Sequence, residues 1–158
     1  MGRRGVAPVI GVTVLVLITV VLAALVGGMA FGSDLEDPPG AAITAEADYS
    51  AGTGQTHVEF THVAGDALDA EDLDVRVSLD GEALDYQPPV PFFSATGFES
   101  GPTGPFNSGS SDARWSAGER AGFTIAGSND PVPSPGEEIT VRILVDGYSI
   151  TTVKTVVR

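Results

Sequence analysis

The residues able to do chemistry are few and poorly grouped for it. His57 and His62 are the only histidines. Residues five apart on a strand point to opposite faces, so these two cannot share one metal ion without a bulge. They read as structural side chains. The stretch GDALDAEDLD gathers Asp66, Asp69, Glu71, Asp72 and Asp74. Calcium prefers carboxylate oxygens, but this spacing is not that of an EF-hand loop and does not repeat. A solvated acidic turn is the simpler reading. No serine sits in a Gly-x-Ser-x-Gly elbow, and no glycine-rich phosphate loop leads from a strand into a helix. No pair of carboxylates is placed to divide acid and base roles. The chain has no cysteine. That excludes thiol nucleophiles, disulfides, Cys-ligated zinc, iron–sulfur clusters and blue copper. Neither Asn107-Ser108-Gly109 nor Asn129-Asp130-Pro131 is a glycosylation sequon. The sequence therefore points to a protein that binds or assembles and is not an enzyme, with no cofactor and no metal.

Charge divides the chain. Residues 1–32 hold Arg3 and Arg4 and no acid. Residues 33–158 hold all 21 acids against six bases, Arg76, Arg114, Arg120, Arg142, Lys154 and Arg158. Such a surface repels phosphate backbones, so a nucleic-acid partner is excluded. It would also repel copies of itself in dilute buffer. At molar salt the Debye length falls to about 3 Å and that repulsion is screened. The acidity is read as adaptation to high salt, the alternative being an ordinary acidic extracellular domain.

The bases lie hard against an apolar run, RRGVAPVIGV at residues 3–12. From Val6 to Phe31 no side chain is charged. As a helix this run would reach about 39 Å at 1.5 Å per residue, more than a hydrocarbon core of about 30 Å. Pro8 falls in the first turn, where its missing N–H costs little. Asp37-Pro38-Pro39-Gly40 is a strong stop beyond the far end. Charge asymmetry keeps Arg3 and Arg4 cytoplasmic and sends the acidic part outside. Ala23/Gly27 and Ala24/Gly28 are small-xxx-small pairs that let apolar helices approach closely. Three readings compete. A cleaved secretory signal has small residues at Gly28-Met29-Ala30, but its apolar core normally runs only about 7–15 residues. A plain signal anchor fits. So does a segment that is cut ahead of its helix and then polymerises.

The third reading carries a resemblance. The segment RRGVAPVIGVTVLVLITVVLAALVGG resembles the N-terminus of archaeal type IV pilins, especially haloarchaeal ones. These carry a basic residue, a Gly or Ala, and a Pro-Val-Ile-Gly run into a Val/Ile/Leu helix. The match covers Arg4 to about Gly28. The resemblance implies a class III signal peptide with Arg3, Arg4, Gly5 and Val6 as the processing site, cut between Gly5 and Val6 by a prepilin peptidase. It also implies that the retained helix packs into a filament core, with Ala23, Ala24, Gly27 and Gly28 as the packing residues. One departure matters. Bacterial pilins place a glutamate shortly after the cut, whereas Ala7-Pro8-Val9-Ile10 contains no acid. Assembly through that glutamate does not carry over.

After Gly40 the pattern changes to period two. QTHVEFTHV places Val58, Phe60 and His62 on one face, and DLDVRVSL places Leu73, Val75, Val77 and Leu79 on one face. Asp80-Gly81 and Asp146-Gly147, each between alternating runs, predict tight hairpins. With AITAEADYS and GERAGFTIAG these runs make about seven strands, and an antiparallel β-sandwich of immunoglobulin-like size. Between Tyr86 and Trp115 the strand pattern lapses into a Pro/Gly/Ser-rich stretch with Phe92, Phe93, Phe98 and Phe106. A loop of that length is unusual in a compact domain. Its phenylalanines either fold back onto the sandwich or form a contact surface. Trp115 in ARWSAGE resembles an aromatic that precedes a Gly-acid turn in pilin domains.

The expected fold class is thus α+β, a membrane and filament-core helix followed by the sandwich. The expected division is a leader at 1–5, a hydrophobic helix at 6–32, a linker at 33–40 and an acidic β-domain at 41–158. The expected function is a pilin or pilin-like subunit that assembles through its helix into a cell-surface filament for adhesion. Its partners would be copies of itself or other pilins, the prepilin peptidase and the membrane. It would sit in the cell membrane, N-terminus cytoplasmic, before assembly and on the cell surface after it. The alternative is an anchored external β-domain that binds a partner and never polymerises.

Overall fold

A computed structural model describes residues 7–31 and 39–158. The leader, Val6 and most of the expected linker lie outside the described residues. The chain divides into two units, residues 1–37 and 38–158. The first contains helix α1 (Ala7–Phe31). Its start puts Pro8 in the first turn, as its spacing requires.

The second unit holds nine strands: β1 (Ala41–Ser50), β2 (Gln55–Gly65), β3 (Leu68–Asp69), β4 (Leu73–Leu79), β5 (Glu82–Ala83), β6 (Arg114–Trp115), β7 (Arg120–Ile125), β8 (Glu138–Val145) and β9 (Tyr148–Val156). They form antiparallel sheets in the orders β1-β2-β7 and β5-β4-β8-β9, with a small β3-β6 pair. The α+β class is as expected. Seven strands were expected; the two-residue β3 and β6 are additional, and nothing so short leaves a periodic trace.

Alternation builds the core. Thr56, Val58, Phe60 and His62 of β2 are buried while the residues between them are half-exposed. All four apolar residues of β4 are buried, as are Ile139, Val141 and Ile143 of β8. Inner faces of both larger sheets contribute to a single apolar cluster with Phe106, Trp115 and Phe123. The two Asp-Gly hairpins form where expected. Asp80 (φ 48°) and Gly81 (φ 90°) join β4 to β5; Asp146 (φ 51°) and Gly147 (φ 81°) join β8 to β9. Two successive positive φ values define the turn whose twist matches that of the strands.

The sheet edges are closed by irregular segments. Along β7, residues 97–103 take the place of a fourth strand. Ala126 N–H donates to Gly97 O, Glu99 N–H to Thr124 O and Thr103 N–H to Gly122 O, at 2.9–3.0 Å. Gly104 then turns at φ +61°, where an added Cβ would stand 2.1 Å from Arg120 O. At the opposite corner the chain leaves β9 and joins β1: Tyr49 N–H donates to Arg158 O (2.8 Å) and Arg158 N–H to Ala47 O (3.0 Å). These contacts consume donors and acceptors that would otherwise invite pairing with another chain.

Beyond the short β5, Val77 on the edge of β4 is met by the Leu84 N–H, which donates to Val77 O (3.2 Å), and by the side chain of Gln87. Gln87 Oε1 accepts from Val77 N–H (2.6 Å), and its Nε2 donates to Val77 O (3.0 Å) and Leu84 O (2.8 Å). The amide group thus pairs with Val77 as a strand residue would. Gln87→Ala is expected to cost about 1–3 kcal/mol, because it strands those partly buried backbone groups. Urea unfolding followed by the fluorescence of the single tryptophan measures it; an unchanged midpoint would show that water replaces the amide without loss.

Candidate functional site

The sequence places its candidate site on the N-terminal segment. Arg3, Arg4, Gly5 and Val6 lie outside the described residues. The helix that follows is described. Twenty-five residues give it a length of about 37 Å at 1.5 Å per residue. Val9–Gly27 is long and apolar enough to cross a membrane, and none of that window is buried within the chain. Valine, leucine and isoleucine are exposed all around it, from Val14 at 48% to Val26 at 66%. Its two hydroxyls turn inward on the backbone: Thr13 Oγ1 donates to Val9 O and Thr19 Oγ1 to Val16 O, both at 2.8 Å. Each hydroxyl proton is thereby satisfied within the helix, as a span in hydrocarbon requires.

Helical spacing brings the chosen small residues together. Ala23, Ala24, Gly27 and Gly28 occupy positions i, i+1, i+4 and i+5, one patch over a single turn. Ala23 and Ala24 are exposed and Gly27 is half-exposed; a Cβ added at Gly27 would meet nothing within 4 Å. At Ala23, Ala24 and Gly27 the helix is open for another helix to approach.

The other candidates in the β-domain separate as their registers dictate. His57 faces out, its Nδ1 3.0 Å from Thr124 Oγ1. His62 faces in and is fully buried, with Nδ1 3.1 Å from Trp115 O and Nε2 3.2 Å from Ala64 O. The two do not converge. In the acidic stretch all five carboxylate residues are exposed. Asp69 Oδ1 accepts from Glu71 N–H (3.0 Å), starting a 3-10 turn at Ala70–Asp72, and Asp66 Oδ2 accepts from Gly40 N–H (3.0 Å). Among the described residues no group of three or more His, Cys, Asp or Glu is arranged to hold a metal ion.

The phenylalanine-rich stretch divides between its two readings. Phe92, Phe98 and Phe106 fold into the core, and Phe93 stands out at 61% exposure. Phe98 meets Phe123 edge-on at 5.4 Å, and Phe106 meets Trp115 at 5.1 Å and Phe60 at 5.8 Å. Tilted and edge-on rings at these separations each add to what burial alone contributes. Trp115 is fully buried, its indole N–H donating to Glu119 O (3.2 Å). Sequence reasoning missed one arrangement altogether, the facing of Arg76 and Arg142 across β4 and β8. Only the pairing register reveals it.

No family model matches the chain. An uncharacterized protein of Archaeoglobus fulgidus is 36% identical over 78 residues, 49% of this chain and 55% of that protein. The chain thus spans about half the length of the curated relative it matches. Among solved structures, the archaellum periplasmic stator protein FlaG from Sulfolobus acidocaldarius is similar with a TM-score of 0.40 at 15% identity, covering 72% of this chain and 96% of that one. The archaeal flagellum of Methanospirillum hungatei strain JF1 is similar with a TM-score of 0.47 at 13% identity, covering 98% of this chain and 93% of that one.

Proposed function

We propose that the chain is a type IV pilin-like subunit of a surface filament. It enters the membrane with Arg3 and Arg4 on the cytoplasmic side, is cut by a prepilin peptidase after Gly5, and assembles through α1 with other copies or related subunits. The filament then displays the acidic β-domain for adhesion in a saline medium. In this reading the protein assembles and binds; it does not catalyse.

One observation carries the reading: α1 exposes apolar side chains on every side and so needs a surrounding apolar medium. Burying one such side chain contributes about 1.5–3 kcal/mol, so leaving thirteen of them in water is untenable. Lipid meets the need before assembly, and neighbouring helices meet it in a filament core.

Intact-mass spectrometry of the protein from its host's membranes and surface filaments tests the proposal. A mature chain beginning at Val6 supports it. A chain still beginning near Met1 leaves an anchored domain that does not polymerise. One beginning near Phe31 removes the helix and every filament claim with it.

The packing patch makes its own prediction. Gly27→Leu adds a side chain that the isolated helix accommodates freely, so cutting and membrane insertion should be unchanged. Filament yield should fall about fivefold or more, because the bulk holds neighbouring helices apart. Electron microscopy of sheared filaments reads this, and a wild-type yield would remove Gly27 from the helix interface.

A further inference from the structure

On the outer face of the larger sheet a cleft of about 330 Å³ is lined by Arg76, Ser78, Leu84, Gln87, Thr140 and Arg142, among others. Arg76 and Arg142 are directly opposed across β4 and β8, as are Ser78 and Thr140. Like charges in opposed positions work against strand pairing, so this is an unfavourable place to put two guanidinium groups for stability alone. Arg76 is held at 2.9 Å by Asp74. Arg142 is exposed and makes no ion pair or side-chain hydrogen bond among the described residues. That is not for want of carboxylates, since the chain has 21 acids to eight bases. Two arginines above a pair of hydroxyl side chains form a receptor for carboxylate oxygens, which guanidinium groups bind through paired N–H donors.

The matching group lies at the far end of the same strand. Glu71 and Asp72 are exposed in the 3-10 turn just ahead of β4. The neighbouring Asp66 and Asp69 accept from backbone N–H groups, whereas the carboxylates of Glu71 and Asp72 have no hydrogen-bond partner among the described residues. Asp72 precedes Arg76 by four residues, about 13 Å at a strand rise of 3.3 Å. The turn and the cleft are separate patches of one chain, so one copy can offer its turn to a second copy's cleft and keep its own cleft free. Such a contact joins two different patches, leaves both free at the ends and can repeat without closing.

We infer that the Arg76–Arg142 cleft receives the Glu71–Asp72 turn of a second copy of this chain, a head-to-tail contact between β-domains. The inference rests on the filament reading above, which supplies the repeated copies. Molar salt screens the long-range repulsion between acidic domains, while hydrogen-bonded contact pairs act within the screening length.

The test is zero-length carbodiimide coupling on the full chain from its host's surface fraction. Arg142→Lys keeps the positive charge and supplies the amine; wild type has one lysine, Lys154, already paired with Glu138 at 2.6 Å. Unlabelled and 15N-labelled filaments are dissociated, mixed and reassembled before coupling. The expected product is a mixed-isotope peptide joining position 142 to Glu71 or Asp72, coupled about tenfold more than position 114 of an Arg114→Lys control, as a contact free energy of about 1.4 kcal/mol implies, and absent from Glu71→Gln/Asp72→Asn, which keeps no carboxylate there to activate. Coupling no greater than that of an Arg114→Lys control overturns the inference. So does protection of position 142 by free citrate with no inter-copy coupling, which would make the cleft a small-carboxylate site. If filaments of chains beginning at Val6 are present and uncoupled, this contact alone fails. A monomeric, uncut chain without coupling overturns both it and the filament reading.

Discussion

Trp115→Ala is expected to remove about 3–5 kcal/mol from the β-domain, the cost of truncating a fully buried aromatic residue. Against a typical total of about 5–15 kcal/mol, that removes between about a fifth and all of the domain's stability. The size of the effect follows from position. Trp115 packs edge-on against Phe106, which in turn touches Phe60 and Phe123, so the cavity opens onto the aromatic centre of the core. His62 would lose its ring partner at 5.5 Å, and Glu119 O would lose its indole donor. Trp115→Phe separates the two contributions. It keeps most of the apolar volume and gives up the hydrogen bond, so it should cost about 1–3 kcal/mol. Far-UV circular dichroism during urea unfolding measures both variants. An alanine variant within 1 kcal/mol of wild type would mean that the core closes around the gap, contrary to the close packing of such interiors.

Gly5→Asp is expected to abolish cutting on the proposed reading. A bulky, charged side chain would occupy the small position beside the scissile bond, and it would set a negative charge against the bases that the peptidase reads. The uncut chain would still insert, because α1 is unaltered, but it would keep its leader ahead of Val6 and yield no filaments. Gly5→Ala is the control, and should be cut almost as wild type because a methyl group keeps the position small. Intact mass of the membrane fraction distinguishes the outcomes. A Gly5→Asp chain that still begins at Val6 would move the processing site elsewhere. The effect is all-or-none in contrast to that at Gly27, where bulk alters the fit between helices and leaves the chemistry alone.

The residues differ in how openly they declare their roles. Helix α1 is legible because its signal is local: a run without charge, bounded by two arginines and a proline-rich stop, needs no other part of the chain to identify it. The Asp80-Gly81 and Asp146-Gly147 hairpins are legible for the same reason, since Gly and Asp at positive φ supply the turn chemistry within two residues. The inward faces of β2, β4 and β8 follow from period-two alternation. The candidate site divides along the same line. Ala23, Ala24, Gly27 and Gly28 are found by counting along a helix, while the roles of Arg3, Arg4, Gly5 and Val6 come from resemblance to pilins.

Neighbours along the chain account for the helix, the strands, their buried faces, the two tight turns and the acidic surface. Contacts between distant segments settle how residues 97–103 close the edge of β7, why Phe93 stands out while Phe92, Phe98 and Phe106 turn in, and how Gln87 serves as a strand partner for Val77. They also settle that Arg76 faces Arg142, from opposite halves of the chain. The physical reason is common to all four. Strand pairing and core packing join residues far apart in the chain; for Arg76 and Arg142, a one-residue change of register would turn the side chains of one strand to the other face.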